Sequence, residues 1–152
     1  MTEHTPALLR VDIADVTQQI FSGLCRSVVA PASLGEVCIL PRHAPLLSKL
    51  IPGTIKLDTG NGEPALFYVS GGYLEVQRTE VTILADHMLR SDQLDRESAL
   101  EAKRRAEEVL KKARLFTDRD QAKLELIKAL AQLRVLERVD LLRLHGKRPR
   151  SR

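Results

Sequence analysis

The sequence predicts a two-part β plus α protein, an N-terminal antiparallel β-sandwich followed by a C-terminal antiparallel two-helix hairpin. Three observations carry this reading. Seven of the eight glycines and six of the seven prolines fall before Asp86. Over the same stretch the apolar residues recur with the period of strands, and beyond it with the period of helices. The charge also changes sign: residues 1–86 hold six Lys and Arg against nine Asp and Glu, a net −3, whereas residues 87–152 hold eighteen against eleven, a net +7 within a total of +4. A composition shift of this size marks a boundary between units.

In the first unit, Leu9, Val11 and Ile13 alternate with Arg10, Asp12 and Ala14, as in a strand with one buried face. Residues 17–21 and 25–30 read as β-rich runs joined through Ser22-Gly23, and residues 36–40 as the next strand. From Gly35 to Gly53 the chain carries three prolines and few polar groups. Proline lacks an amide hydrogen and pushes the preceding residue toward extended backbone. Leu40-Pro41 should therefore end a strand, Ala44-Pro45 should open an apolar segment unsuited to a central strand, and Ile51-Pro52-Gly53 should form a tight turn. Residues 54–58 and 65–70 flank Thr59-Gly60-Asn61-Gly62, a hairpin signal. Gly71-Gly72 reads as a further hairpin turn into residues 73–77, and residues 81–85 form the last strand. Many short strands with a turn signal about every ten residues point to a sandwich or small barrel.

Beyond Asp86, Ala99, Ala102, Ala106, Val109 and Ala113 form a narrow stripe at helical spacing. Asp95 is the expected N-cap, and a helix from there to Arg114 would be about 30 Å long. Its outer face offers Glu101 to Arg105, Glu107 to Lys111 and Glu108 to Lys112 four residues apart. A break at residues 115–117, capped by Thr117 or Asp118, leads into a second helix with Ala122, Leu126, Ala129, Leu133 and Leu136 on one stripe, running to about Leu144. A short connection makes the two antiparallel neighbours. Alanine dominates both stripes, so their contact buries little area. At about 0.8 kcal/mol per buried methylene-sized group the pairing brings several kcal/mol at most, within reach of a competing partner. Past Leu141 the chain holds Arg143, Lys147, Arg148, Arg150 and Arg152 and no acid, with Gly146 and Pro149 expected to end the helix.

The sequence excludes several function classes. No apolar run approaches the ~20 residues that span a bilayer. Residues 1–6 lack the basic and apolar segments of a signal peptide, so export is not expected. Cys25 and Cys38 sit in apolar, strand-like contexts and read as reduced, buried thiols. No nucleophile elbow, Walker loop, zinc spacing or dinucleotide fingerprint occurs, and His4, His43, His87 and His145 are scattered. No metal or other cofactor is expected. His43 has no carboxylate near it in sequence and reads as a structural or contact residue. Nothing here equips an enzyme.

A resemblance enters through Pro41-x-His43-Ala44-Pro45-Leu46-Leu47 with Leu50-x-Pro52-Gly53, then Val69-Ser70-Gly71-Gly72, Leu74-Glu75-Val76, Val81-Thr82-x-Leu84-Ala85-Asp86, Leu94-Asp95 and Ala129-x-Ala131-x-Leu133-Arg134. These pieces, in order across residues 9–137, resemble the epsilon subunits of rotary F-type ATP synthases. Cys38 and Arg42 stand where that family often has glycine. The resemblance implies a non-catalytic central-stalk subunit of a proton-translocating synthase. It would couple rotation of the membrane c-ring to the alpha/beta catalytic head through the gamma subunit. It implies a ring- and gamma-binding sandwich over residues 1–86, a regulatory hairpin over 87–144 that restrains ATP hydrolysis, and a basic tail over 145–152. It places Glu36 at the c-ring, and His43, Ala44, Pro45, Leu46 and Leu47 near gamma. Arg104, Arg105, Lys111, Lys112, Arg114, Lys123, Lys128 and Arg134 are then available to acidic surfaces of the head. Some members bind ATP through a frame that Leu94-Asp95-Arg96-Glu97-Ser98-Ala99 keeps only in part, with Asp95 and Ala99 in place and Ser98 where an arginine would fork a phosphate. The implied location is the cytoplasmic face of a bacterial plasma membrane, held by protein partners and without direct lipid or nucleic-acid binding. Two other readings stand beside it: a basic nucleic-acid-binding protein, with steep salt dependence, and a coiled-coil adaptor.

Overall fold

The alternation of Leu9, Val11 and Ile13 with polar neighbours carries through to the structure, where all three are fully buried. The computed structural model describes residues 6–146. Ten strands form the N-terminal part: β1 (Leu9–Ala14), β2 (Gln19–Cys25), β3 (Ser27–Ala32), β4 (Gly35–Ile39), β5 (Leu46–Leu50), β6 (Gly53–Asp58), β7 (Ala65–Val69), β8 (Gly72–Val76), β9 (Glu80–Ala85) and β10 (Met88–Arg90). A single 3-10 turn (Ser91–Gln93) leads to α1 (Arg96–Lys112) and α2 (Phe116–Gly146).

Strands β10, β7, β6, β3 and β4 make one layer, and β5, β8, β9, β1 and β2 the other. Only the Ala32–Leu50 pairing of β3 with β5 joins them. Side chains from both layers interleave in one core that includes Val11, Ile13, Val28, Ile55, Phe67, Leu74 and Ile83. All pairings are antiparallel except β1 with β9. Alternation of inward and outward residues is what such half-covered sheets require. β7 breaks it, because Leu66, Phe67, Tyr68 and Val69 are all buried. Phe67 and Val69 face the core, whereas Leu66 and Tyr68 pack with Ala131 and Val135 of α2.

Several local expectations shift. The two runs expected to join through Ser22-Gly23 are not separated there, since both residues lie inside β2. Gly23 pairs with Val11 inside β2, and the reversal lies earlier, where the Asp15 carboxylate accepts the amides of Thr17 (2.8 Å) and Gln18 (2.9 Å). Such an Asx turn replaces the glycine that a hairpin would otherwise use. The segment after Ala44-Pro45 is a strand, β5, paired along its length with β8 and at Leu50 alone with β3. Pro45 precedes it, so no ladder amide is missing.

Gly71-Gly72 is not a hairpin turn, since β7 pairs with β6 and β10 while β8 pairs with β5 and β9. It is the corner where the chain passes from one layer to the other. Gly72 sits at φ +136, and a Cβ there would collide with the Leu84 carbonyl oxygen. β10 escaped the sequence reading because three residues carry no period.

In the hairpin, Asp95 caps α1, its carboxylate accepting the Glu97 amide at 3.1 Å. Ala99, Ala106, Ala122 and Ala129 are buried between the helices, but Ala102 and Val109 are exposed. α2 begins at Phe116, one residue before the anticipated caps, and keeps Gly146 as its last residue. Glu101 pairs with Arg105 as anticipated. Glu107 and Glu108 instead turn back to Lys103 (4.0 Å) and Arg104 (3.9 Å). Of the basic tail, residues 147–152 lie outside the described residues.

Gly72→Ala should cost about 2 kcal/mol or more in urea unfolding, through the backbone conformation and the carbonyl collision together. A loss below about 0.5 kcal/mol would contradict this account of the corner.

Candidate functional site

Two surfaces of the sandwich and one of the hairpin bring together the residues singled out in the sequence. The first lies at the corner between β4 and β5. The His43 amide donates to the Leu40 carbonyl at 3.1 Å, closing a turn with Pro41 second and Arg42 third. Arg42 has φ +70, the sole positive value at a non-glycine among the described residues. This is the type II arrangement, which favours glycine at its third position, so the arginine holds a conformation costing about 1–2 kcal/mol. The Arg42 amide is fixed to the Arg78 carbonyl at 2.8 Å, which ties the corner to the β8–β9 turn. His43 is half-buried, its Nδ1 2.6 Å from the Ala44 carbonyl oxygen. Among the described residues no carboxylate pairs with it.

From this corner an apolar face extends across the second layer. Leu46 packs into the core, whereas Leu47 is 73% exposed. Leu47 stands opposite Glu75, and two residues along β8 Tyr73 stands between Lys49 and Leu84. Tyr73 and Leu84 are 51% and 59% exposed, so three large apolar side chains share one outward face. Beside them a groove of about 760 Å³ runs between Pro45, Leu46, Leu47 and the Gln77–Thr79 turn. Pro45 is exposed at its rim, and Ala44, next to it in the chain, is exposed as well. Tyr73 and Leu84 were not singled out as site residues in the sequence, because only the register of β8 with β9 brings them together.

Glu36 occupies a different place, on the edge strand β4 opposite Pro31. Val37 and Ile39 turn inward there, so Glu36 and Cys38 turn outward together. Cys38 is therefore exposed and not the buried thiol expected. Leu34, at the tip of the β3–β4 hairpin, is fully exposed beside Glu36. The Glu36 carboxylate lies 3.5 Å from Arg138 on α2.

The hairpin cations are spread over its outer surface. Arg104 and Arg105 pair with Glu108 and Glu101, and Lys128 with Glu125 at 3.5 Å. Lys111, Lys112, Arg114, Lys123 and Arg134 form no ion pair among the described residues. The first four lie toward the α1–α2 connection, where Leu115 and Phe116 are exposed. An open groove of about 790 Å³ separates the helices there, lined by Ala102, Arg105, Val109, Asp118, Gln121 and Glu125.

At the other end Asp95 is committed to capping. Its carboxylate also accepts the Ser98 hydroxyl at 2.7 Å, and this bond with the Glu97 amide holds its pKa below the usual carboxylate range. Ala99 is buried against α2. Ser98, at the position of the missing arginine, thus completes the cap. Among the described residues no cluster of three or more His, Cys, Asp or Glu is placed to hold a metal. No described helix is long and apolar enough to cross a membrane.

The two cysteines differ sharply. Burial, with the Asp58 charge adding to it, pushes the Cys25 thiol up to about 11. At pH 8.5 iodoacetamide should therefore modify Cys38 and spare Cys25 until the chain is unfolded. Because the native thiol stays protonated where the unfolded one ionises, stability should also fall as pH rises from about 9 through about 11. Equal labelling rates in the native chain would refute the placement of β2 and β4.

Comparison with known proteins follows the same division. The family described as "ATP synthase, Delta/Epsilon chain, beta-sandwich domain" matches residues 8–91, and "ATP synthase, Delta/Epsilon chain, long alpha-helix domain" matches residues 92–137. An ATP synthase epsilon chain of Alkalilimnicola ehrlichii is 50% identical over 131 residues, 86% of this chain and 94% of that one. One of Halorhodospira halophila is 48% identical over 130 residues, 85% of this chain and 92% of that one. Among solved structures, a chain of the Euglena gracilis mitochondrial ATP synthase (OSCP/F1/c-ring in rotational state 1) superposes with a TM-score of 0.79 at 19% identity, covering 86% of this chain and 82% of that chain. A chain of the Tetrahymena thermophila mitochondrial ATP synthase central stalk and c-ring gives 0.59 at 16% identity, covering 84% and 96%. With both parts of the fold matched in order, and about half the residues shared with epsilon chains over most of their length, the chain belongs to the ATP synthase delta/epsilon family.

Proposed function

We propose that this chain is a non-catalytic central-stalk subunit of a proton-translocating F-type ATP synthase. It couples c-ring rotation to the alpha/beta head through the gamma subunit and restrains ATP hydrolysis through α1 and α2. The observation that carries this reading is membership of the delta/epsilon family together with a fold in which each implied contact residue is at least partly exposed. In this reading residues 1–86 bind the rotor, residues 87–144 regulate, and residues 145–152 form a basic tail. Association with the cytoplasmic face of a bacterial inner membrane follows from the protein partners.

Glu36 serves the c-ring. It lies on an edge strand beside the exposed Leu34, so a carboxylate and an apolar tip are offered together to polar loops. His43, Ala44, Pro45, Leu46 and Leu47 serve gamma, and Tyr73 and Leu84 extend that surface. Large apolar side chains gathered on one exposed face are the usual mark of a protein partner. The two sets lie on different layers of the sandwich, which suits a part gripped by two partners at once. The corner between them is braced by the Arg42–Arg78 backbone bond. A coupler carrying torque needs such a joint. Arg104, Arg105, Lys111, Lys112, Arg114, Lys123, Lys128 and Arg134 meet acidic surfaces of the head when the hairpin extends. We assign Asp95 and Ala99 to capping and packing, with no nucleotide bound there.

Cysteines placed at Glu36 and at His43, with Cys38 replaced by serine, should cross-link to the c-ring and to gamma respectively in the assembled motor. Reaction of both with a single partner would refute the two-surface arrangement. Deleting residues 91–152 should leave rotor coupling intact and raise ATP hydrolysis by the assembled motor several-fold. An unchanged rate would remove the brake from this reading.

A further inference from the structure

The family match ends at residue 137, but α2 continues to Gly146, and its last turns add further ties to those that Ala131 and Val135 make with the sandwich. Four contacts gather there. Arg138 reaches Glu36 on β4 at 3.5 Å. Asp140 accepts a 2.7 Å hydrogen bond from Arg96, in the first turn of α1. Val139 and Leu142 pack onto the Leu66, Tyr68, Ala131 and Val135 cluster. Gly146 comes so close to the β6–β7 connection that a Cβ on it would lie 3.2 Å from a Glu63 carboxylate oxygen. The sandwich edge, the start of α1 and the end of α2 thus meet within nine residues. The opposite end of the hairpin carries an open groove, the exposed Leu115 and Phe116, and the cations Lys111, Lys112, Arg114 and Lys123.

We propose that residues 138–146 are an intramolecular clasp that holds the hairpin down on the sandwich, and that Glu36 is shared between this clasp and the partner docking on β4. Each polar tie alone is weak, because both ion pairs are about half exposed. Together with Val139 and Leu142 they act at one place and set how often the hairpin leaves. Arg138 competes with any basic group brought to Glu36. Docking there loosens the clasp, and an open clasp frees Glu36 for docking, the two effects being equal in size. This second half rests on the c-ring assignment of Glu36 made above. The clasp itself does not.

The test is hydrogen–deuterium exchange on the free full-length chain, read at the amides of α2 around Ala131 and Val135, with the β1 and β9 amides reporting sandwich integrity. Truncation after Glu137 should speed α2 exchange about tenfold, whereas truncation after Gly146 should leave it unchanged. Arg138→Ala and Glu36→Gln should each speed it about threefold, and the double variant no more than either single one, since both break the same pair. Arg138→Lys should restore most of the protection. Unchanged exchange after truncation at Glu137, or equal loosening when residues 147–152 alone are removed, would overturn the clasp. Detergent-purified c-ring bound to the gamma-complexed chain tests the sharing, and Arg138→Ala should tighten binding about threefold. Unchanged affinity would overturn the sharing. Loss of binding dependence on Glu36 itself would overturn the c-ring assignment, with the exchange result still deciding the clasp.

Discussion

The burial of β7 on both faces is the constraint on which the rest of this molecule depends. Phe67 and Val69 complete the sandwich core, and Leu66 and Tyr68 would be left in water if α2 were not laid across them. Tyr68 shows how complete the cover is: burial pushes its hydroxyl's pKa up, with a hydrogen bond to Gln132 opposing part of that shift. Among the described residues no buried side-chain polar atom is left unpaired. A strand so placed cannot tolerate departure of the helix without exposing a leucine and a tyrosine. Full burial of such side chains is worth about 1.5–3 kcal/mol each. The helix is therefore held, but by few enough groups that another surface of similar apolar content can replace the sheet. That balance is what a movable arm on a stiff base requires.

The stiffness comes from a different source. The two layers share one core but a single strand-to-strand pairing, so the corners between layers set their geometry. Gly71-Gly72 makes one corner by backbone freedom, and the Leu40–His43 turn makes another with an arginine in a glycine-favouring conformation. Both corners lie next to the strands that carry the exposed apolar face. Strain at that turn is offset by the surrounding ladders, and the reward is a surface whose shape does not yield.

Much of the architecture was legible in the sequence. The change of period near Asp86, the Asp95 cap and the alanine stripes located both parts and the hairpin. What failed did so for identifiable reasons. A hairpin turn was misplaced at Gly71-Gly72, because a glycine pair was read locally while its strands belong to different layers, and the first reversal was missed, because Asp15 turned the chain without a glycine. Cys38 was read as buried from its apolar neighbours, although alternation from Ile39 and Val37 puts it on the face of Glu36. The docking face of α2 was missed because its second stripe, Ala131, Val135, Val139 and Leu142, runs beside the first. A helix apolar on two sides shows no single period. The unbroken apolar run of β7 held the complementary signal, since a strand buried on both faces has no alternation to show.

The site residues divide in the same way. His43 to Leu47 and Glu36 were named through the family resemblance, at a stretch that proline and glycine mark, whereas Tyr73 and Leu84 needed the strand register to bring them together. The pairing of Glu36 with Arg138, 102 residues away, is a purely tertiary fact.

The central claim is that one rigid module carries the coupling while a detachable hairpin carries the restraint. Cysteines at Leu66 and Val135, which pack in one cluster, would lock α2 onto β7 by a disulfide in the assembled motor, with Cys38 replaced by serine. ATP hydrolysis measured before and after reduction is the direct test. The account predicts free hydrolysis with synthesis still coupled while the lock is closed, and recovery of restraint on reduction. A locked chain that restrains hydrolysis as well as the reduced one, or that uncouples synthesis, would contradict it.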